Sequence, residues 1–297
     1  MGTLEHENRE VKRGPTANTR ELRVTNVHND GPITEGSDIA IPDSPSADVK
    51  SSVRTLEILE LLSQSTERKS VASMARELSI PKSSLHGILR TMERRGWLET
   101  DATGTLYSLG LRALFTGTAY VDGDDIVTLT RSILDVLAER TGETVHLGRL
   151  EAADVIYLAK RESIHALRLY SAVGRRLPAH ATALGKVLLA ELDPGEVDRR
   201  LNWPLKKLTE RTITSPIQLR AELDEIKLRG YAVDDGENAD GIQCMAVAIR
   251  GLNSLNAMSC SVPESRMTEE RRVEIISALQ DAASNASAVL DRRGRIN

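Results

Sequence analysis

A single proline, Pro81, most constrains how this chain can fold, because it separates two short apolar periodicities. Residues 70–78 and residues 83–95 each carry apolar side chains at helical spacing. These side chains are Val71, Met74, Ala75 and Leu78 before the proline, and Leu85, Ile88, Leu89 and Met92 after it. The residue before a proline avoids the α region, so the first of these helices must end near Ile80. The pattern predicts two short helices joined by a tight turn, the second beginning near Ser83 or Ser84 and ending at Gly96.

Segments on both sides complete this unit. An earlier helix is predicted after an N-cap at Ser51 or Ser52. Its apolar stripe consists of Val53, Leu56, Leu59 and Leu62. Residues 97–100 and 105–109 are strand-like and flank a turn that contains Gly104, which predicts a hairpin. Three helices followed by a hairpin form a winged helix-turn-helix, which we assign to residues 50–110.

The third helix of this unit has a basic outer face. Residues 82–95 contain four basic side chains and one acidic side chain, whereas the whole chain has a net charge of −4. Small polar residues near the start of a helix allow close approach to base edges, and arginines can reach bases or phosphates. We expect this face to enter the major groove of double-stranded DNA; the alternative is an ordinary solvated helix face. The predicted contact residues are Lys82, Ser83, Ser84, His86, Gly87, Arg90, Thr91 and Arg94.

The rest of the chain divides into three segments. Residues 1–49 contain nine acidic and five basic side chains without sustained periodicity, which predicts a disordered tail. Residues 111–124 are typical of a linker helix that loosens into a turn, and a dimer contact along it is expected. Residues 125–297 form a separate domain, in which helical and strand-like patterns alternate.

The patterns of residues 125–297 favour the α+β class. Strand-like runs cover residues 144–150, 155–159, 167–171, 242–249 and 257–262. Helical patterns cover residues 126–142, 182–191, 216–229 and 275–290. Strand pairs of the hairpin type mixed with helices indicate an antiparallel sheet with helices packed on it, and not a Rossmann sheet.

Two segments of this domain are candidates for the wall of a ligand pocket. In residues 175–186, Thr182 can cap a helix whose free N–H groups would face a small anion. Residues 234–244 read as an acidic loop that runs into an apolar strand, where Asp234 could accept a hydrogen bond from a ligand hydroxyl. The alternatives are a plain helix start and a solvated acidic loop.

The sequence does not match the short motifs of common catalytic sites that we compared with it. Lys186 follows Gly185 but is itself followed by valine, so the phosphate-binding loop pattern fails, and no Gly-x-Ser-x-Gly elbow occurs. Cys244 and His180 could act as nucleophile and base. A cysteine in an apolar strand is more often a small core residue, so we expect no enzyme, no cofactor and no metal site.

The cysteine content and the apolar segments of the sequence also indicate a cellular compartment. Two cysteines, Cys244 and Cys260, do not make a disulfide framework and point to a reducing cytoplasm. The chain has no apolar stretch long enough to span a membrane, and its start is not of the secretory type.

Ordered motifs across residues 50–292 resemble the IclR family of bacterial transcriptional regulators. Each motif is short, but together and in this order they form a specific pattern. In the DNA-binding half they are Pro81-Lys82-Ser83-Ser84-Leu85-His86, Arg95-Gly96-Trp97-Leu98 and Tyr107-Ser108-Leu109-Gly110. In the second half they are residues 183–190, Thr209 with Thr212-Ile213-Thr214, residues 230–235, and Glu237 followed by residues 241–246.

The resemblance implies a GAF-like effector domain and a small carboxylate effector, such as a keto acid, a sugar acid or an aromatic acid. It also implies dimers joined mainly through the DNA-binding half, and often dimers of dimers. Family positions that line the effector site fall on Ala166, Leu169, Leu177, Ala183, Leu184, Asp234, Ile242, Cys244, Ser259 and Ser261.

We therefore expect a cytoplasmic transcription factor whose partners are an operator in double-stranded DNA, a small organic acid and further copies of itself. Two alternatives belong to other classes. One is a GAF-like enzyme that uses Cys244, and the other is a winged-helix protein–protein adaptor that does not bind DNA.

Overall fold

The computed structural model describes residues 48–65, 67–166, 171–251 and 255–294 of the chain. The predicted tail over residues 1–49 lies almost entirely outside the described residues.

The winged helix-turn-helix prediction is confirmed. Helices α1 (Lys50–Ser63), α2 (Val71–Glu77) and α3 (Lys82–Arg94) precede strands β2 (Leu98–Thr100) and β3 (Leu106–Leu109). A short strand, β1 (Lys69–Ser70), adds a third member to the hairpin, in the order β1-β3-β2. The sequence pattern did not predict β1, because two residues are too few to show periodicity. Ser70 also caps α2, since its hydroxyl accepts the Ser73 N–H at 3.2 Å.

The core of this unit differs from the prediction at one helix. Ile58 and Leu62 of α1 are buried, whereas Leu56 faces solvent. The predicted stripe of α3 is correct, because Leu85, Leu89 and Met92 are buried there and Ile88 packs against them. The two apolar faces of α1 look equivalent in the sequence, and only packing against α3 and the hairpin selects the face that contains Ile58.

Two helices connect the winged unit to the sheet of the second domain. Helix α4 (Leu111–Asp122) begins after Gly110, and helix α5 (Asp125–Thr141) follows after Gly123 and Asp124. The Asp124 carboxylate caps α5 by accepting the Ile126 N–H at 3.0 Å. Gly142 ends α5, where the predicted helical pattern also ends, and it adopts the left-handed conformation with φ of 65°.

The second domain is built on a six-stranded antiparallel sheet, which confirms the predicted α+β class. Its strands are β4 (Thr144–Glu151), β5 (Asp154–Arg161), β6 (Arg176–Pro178), β7 (Ala232–Asp235), β8 (Ile242–Ile249) and β9 (Asn256–Pro263). Their order across the sheet is β6-β5-β4-β9-β8-β7. The short edge strands β6 and β7 were not predicted. Of the strand expected over residues 167–171, only Ser171 is described, and it is not in a strand.

Helices cover both faces of this sheet. The long helix α9 (Glu269–Gly294) packs with α5 on one face, where the core includes Leu134, Met258 and Leu279. On the other face, α6 (Ala183–Leu189) and α8 (Pro216–Arg229) enclose a second core. A further short helix, α7 (Pro194–Arg200), was not predicted. The candidate pocket lies on this second face.

Candidate functional site

The outer face of α3 is open to solvent along its length. All eight predicted DNA-contact residues are exposed there, namely Lys82, Ser83, Ser84, His86, Gly87, Arg90, Thr91 and Arg94. A methyl group added at Gly87 would meet no atom within 4 Å, so the backbone at this point is accessible to a partner. The apolar side of the same helix is buried, which leaves the basic face free to contact a ligand as large as a duplex.

A pocket lies between the sheet and the start of α6. Three neighbouring strands bring Asp234, Cys244 and Ser261 side by side, because Asp234 pairs with Cys244 and Cys244 pairs with Ser261. The Cys244 thiol donates a hydrogen bond to the Ser261 hydroxyl at 3.2 Å. The other lining residues are Tyr157, Thr182, Ala183, Leu184, Asn238, Ala239, Ile242 and Ser259.

The N-terminus of α6 is one wall of this pocket. Thr182 caps the helix as predicted, since its hydroxyl accepts the Gly185 N–H at 3.0 Å. Gly185 is required at this position, because a Cβ there would overlap the backbone of Ala179. The tight packing of the helix on the preceding turn fixes the side chains of Ala183 and Leu184 in the wall.

Asp234 is the buried acid of the pocket. It lies at the end of edge strand β7, and not in a loop as the sequence suggested. Burial raises the pKa of Asp234 to about 7, although the N–H groups of Glu237 and Asn238 donate to its Oδ1 at 2.7 and 3.3 Å and oppose the shift. Near neutral pH this carboxyl group is therefore partly protonated, and it can either donate or accept a hydrogen bond.

A buried ion pair holds the loop that follows Asp234. Lys186 of α6 contacts the Glu237 carboxylate at 2.5 Å and the Glu222 carboxylate at 3.4 Å. Burial raises the pKa of Glu237, and the neighbouring Lys186 ammonium opposes that rise. Thr212 adds a hydrogen bond from its hydroxyl to the Glu237 carbonyl at 2.6 Å. The pair joins the two walls of the pocket, α6 and the β7–β8 loop.

An aromatic pair that the sequence analysis missed supports the floor of the pocket. Tyr157 lines the pocket and stacks on His146, with the ring centroids 4.2 Å apart. His146 is fully buried and hydrogen-bonded to the Ser171 hydroxyl at 2.7 Å. Burial lowers the pKa of His146 to about 3, so the ring is neutral. Neither residue belongs to a motif that could have identified it, because cross-strand neighbours are set only by the register of β4 and β5.

The structure brings most of the predicted effector residues together. Those that line one pocket are Ala183, Leu184, Asp234, Ile242, Cys244, Ser259 and Ser261. Two others lie elsewhere. Leu177 is paired with Val155 on the edge strand β6 and is packed in the apolar core, and Ala166 is exposed beyond the end of β5. Leu169 lies outside the described residues.

The proposed nucleophile and base do not line the same pocket. The His180 Nε2–H donates to the Lys206 carbonyl at 3.0 Å, and His180 is not among the residues that line the pocket. Burial raises the pKa of the Cys244 thiol well above its usual range, with the nearby Asp234 adding to the shift. Within the described part of the chain, no three His, Cys, Asp or Glu side chains are grouped to hold a metal ion.

Comparison with known proteins identifies the family. The model of the IclR helix-turn-helix domain matches residues 51–102, and the model of the C-terminal domain of the bacterial transcriptional regulator IclR matches residues 118–288. The chain belongs to the IclR family. It is a DNA-binding transcriptional regulator with a C-terminal effector-binding domain, as the motifs predicted.

Relatives in this family align over nearly their whole length. The HTH-type transcriptional regulator KdgR of Escherichia coli is 34% identical over 83% of this chain and 93% of its own. XynR of the same organism is 32% identical over 82% of this chain and 97% of its own. Among solved structures, an IclR transcriptional regulator from Alicyclobacillus acidocaldarius has a TM-score of 0.73 at 28% identity, covering 82% of this chain and 99% of that protein. None of the helices in the described residues is long and apolar enough to cross a membrane.

Proposed function

We propose that this protein is a cytoplasmic, self-associating regulator whose affinity for its operator changes when a small organic acid occupies the pocket beside Asp234. Residues 50–110 bind DNA, residues 111–124 link the two domains, and residues 125–297 sense the effector. The observation that carries the proposal is the convergence of Asp234, Cys244 and Ser261 on one pocket of a domain that is tied by a helix to an exposed basic α3.

The predicted residues of α3 divide by position into two roles. Ser83, Ser84 and Gly87 lie on its first two turns and are small enough to allow close approach to base edges. Arg90, one turn further, is long enough to donate two hydrogen bonds to a guanine, whereas Lys82 at the helix start faces the phosphates. Base contacts specify the operator, and phosphate contacts provide affinity without sequence preference.

Binding to the DNA upstream of the protein's own gene tests this division. Fluorescence anisotropy against that DNA and against a scrambled duplex, at several salt concentrations, gives the affinity and the preference. Arg90→Ala should lose about 1–3 kcal/mol of preference for the specific duplex, whereas Lys82→Ala should weaken binding to both duplexes and reduce the salt slope by about 1. The absence of any preference in the unmodified protein would rule out sequence-specific binding at this DNA.

The chemistry of the pocket suits a small acid that also carries a hydroxyl or carbonyl group. Among the described residues that line it there is no lysine or arginine. A ligand carboxylate must therefore be held by neutral donors, such as the Ser259 and Ser261 hydroxyls, the Asn238 amide and the protonated form of Asp234. The ionised form of Asp234 can accept a hydrogen bond from a ligand hydroxyl instead.

Binding of such a ligand requires the pocket to open. The cavity has a volume of about 10 Å³, which corresponds to roughly one water molecule. The β7–β8 loop can supply the movement, because Gly236 and Gly241 bracket it in the left-handed conformation, with φ of 72° and 76°. Lys186, through its contact with Glu237, limits how far the loop can move.

Thermal-shift measurements with pyruvate, gluconate and 4-hydroxybenzoate probe keto, sugar and aromatic acids in turn. An acid present at about 100 times its dissociation constant adds about 2.7 kcal/mol to the free energy of unfolding. Ser259→Ala removes one donor from the pocket and should reduce the shift. Ser132→Ala, an exposed serine on α5 on the other face of the sheet, is the matched control and should not. If the acid gave equal thermal shifts in Ser259→Ala and in the control variant, it would bind outside the pocket beside Asp234.

The linker helix is the proposed contact between two copies of the chain. None of the twelve residues of α4, all of them described, is buried, although Leu111, Leu114 and Phe115 share one apolar face. A helix of this length is marginal in water without a partner. Pairing of two α4 helices about a two-fold axis would cover the face in both copies.

Light scattering after gel filtration tests the dimer. Phe115→Glu places a charge in the proposed contact and should shift the protein toward the monomer. Thr116→Glu places the same charge on the adjacent, more polar side of α4 and should leave the mass unchanged. A dimeric Phe115→Glu protein would show that the contact lies elsewhere.

The proposed role is not catalytic. A thiol with a raised pKa is a poor nucleophile, and Cys244 has no histidine base among the pocket residues. Cys244→Ser should therefore retain the thermal shift and the change in DNA affinity caused by the same acid. Turnover of that acid by the unmodified protein, lost in Cys244→Ser, would support the enzyme alternative instead. The adaptor alternative is opposed by any DNA binding with strong salt dependence.

A further inference from the structure

Arg149 of β4 joins three separate elements of the chain through its guanidinium group. Its Nη1 donates to Asp124 Oδ2 at 2.6 Å and to the Tyr120 hydroxyl at 2.8 Å, and its Nη2 donates to Asp124 Oδ1 at 3.2 Å. Its Nε donates to Asn256 Oδ1 on the neighbouring strand β9 at 2.9 Å. Tyr120 belongs to the last turn of α4 and Asp124 caps α5. The group therefore ties the end of the linker helix to the sheet of the effector domain.

This contact is stronger than an ordinary surface ion pair. The side chains of Arg149 and Asp124 are only 17% and 10% exposed, so water screens their interaction weakly. The bidentate contact with both Asp124 carboxylate oxygens also fixes the direction of the guanidinium plane. A lysine ammonium group could not provide this orientation. Arg149 is consequently able to hold α4 at a defined position relative to β4.

The residue before Arg149 touches the wall of the pocket. A Cβ placed on Gly148 would lie 2.8 Å from Val155 Cγ1 and 3.0 Å from Leu184 Cδ1, so the Leu184 side chain packs closely on the backbone at this point. Leu184 is also one of the residues that line the pocket. A change in its position on ligand entry acts directly on β4 at Gly148.

The two contacts lie on opposite faces of the sheet. Successive residues of a strand point to opposite faces, so Gly148 faces α6 while Arg149 points towards α5. The pairing of β4 with β5 shifts register between Leu147 and Gly148, where Leu158 of β5 has no partner, so the ladder beside β4 is locally interrupted. A displacement of β4 at Gly148, on the face towards the pocket, would therefore rotate the strand locally and change the direction of the Arg149 side chain.

We propose that Arg149 is the positioning residue that transmits occupancy of the pocket to the linker helix α4. Displacement of Leu184 moves β4 at Gly148. The hydrogen bonds from Arg149 to Asp124 and Tyr120 transmit that movement to the end of the linker helix. The inference deepens the proposed effector response and rests on it. It names the physical link between a pocket on one face of the sheet and a helix attached to the other.

Hydrogen exchange of residues 111–122, followed by mass spectrometry, tests the link without DNA or an effector. Arg149→Met should speed exchange in α4 roughly tenfold, because it removes hydrogen bonds to a charged group. Tyr120→Phe, which removes one hydroxyl, should have a smaller effect in the same segment, and Arg149→Lys should be intermediate. Arg176, on edge strand β6, forms an exposed ion pair with Asp154 of β5. Arg176→Met removes that pair and serves as the control, in which exchange in α4 should be unchanged.

Coupling to the pocket is tested by disturbing its wall in two backgrounds. Gly148→Ala forces Leu184 and β4 apart, and Leu184→Ala removes the same contact without adding strain, in case the first variant does not fold. Each should change exchange in α4 when Arg149 is present, and each should leave it unchanged in the Arg149→Met background. Equal changes in both backgrounds, or none in either, would overturn the proposal. Because neither DNA nor ligand is involved, such a failure is distinct from a failure of the proposed function.

Discussion

Replacing Asp234 by asparagine removes a charge that the folded protein accommodates poorly. The carboxyl group is 3% exposed, and burial raises its pKa from an ordinary value of 3.8 to about 7. A shift of this size corresponds to about 4 kcal/mol, at 1.36 kcal/mol for each tenfold change in proton affinity. Asparagine keeps an oxygen that can accept the N–H groups of Glu237 and Asn238, so the substitution isolates the effect of the charge.

The sign of the effect follows from proton linkage. The pKa of Asp234 is higher in the folded protein than in the unfolded chain, so its contribution to stability is complete below about pH 4. That contribution is lost between about pH 4, where the carboxyl group ionises in the unfolded chain, and about pH 7, where it ionises in the folded protein. Asp234→Asn should therefore match the unmodified protein near pH 4 and exceed its free energy of unfolding by up to about 4 kcal/mol at pH 8.

Urea denaturation followed by circular dichroism, at pH values between 4 and 8, measures this difference. Asp240→Asn is the matched control, because Asp240 lies in the loop that follows β7 and its side chain is exposed. Its difference from the unmodified protein should stay within about 0.5 kcal/mol. A pH-independent difference for Asp234→Asn, or a variant that is less stable at pH 8, would refute the reasoning about the buried charge.

Three further predictions concern the same region. Lys186→Met should cost about 3–5 kcal/mol in urea denaturation, because it leaves the buried Glu237 carboxylate unpaired, and Lys186→Met with Glu237→Gln should recover part of the loss. Gly185→Ala should abolish the thermal shift with any effector acid, since the new Cβ would collide with Ala179 and displace the start of α6. By calorimetric titration, the acid that gives a thermal shift should bind about fivefold more weakly at pH 8 than at pH 7, because the protonated fraction of Asp234 falls from about one half to about one eleventh, and Asp234→Asn should remove this dependence.

The parts of the fold that were predicted correctly have strong local signals. The helix predicted to end before Pro81 does so, at Glu77. Gly142 and Gly230 end α5 and α8 in the left-handed conformation, and α3 has an apolar stripe at helical spacing. These features depend on backbone preferences of a few consecutive residues, so they can be read without knowledge of distant contacts. The errors occur where distant contacts decide the outcome. Leu56 was predicted to be buried, but packing of α1 selects the face that contains Ile58 instead.

The candidate site shows the same division. Cys244 and Ser261 were identified through motifs of a family, but their adjacency to Asp234 exists only because three strands pair in one register. Tyr157 and His146 belong to no recognisable motif and entered the site through cross-strand stacking. Leu177 was assigned to the pocket, and it is not among the residues that line the cavity in this structure.

By itself, the order of residues determined most of the helices, several of their ends, the basic face of α3 and the separation into a DNA-binding and a sensing domain, because each depends on short-range periodicity and charge. The tertiary structure decided which distant side chains meet. The protonation of Asp234, the burial of Lys186 and the bridge from Arg149 to the linker all arise from contacts between residues far apart in the chain. Long-range pairing and exclusion of water set these properties, and neither is encoded in any local pattern.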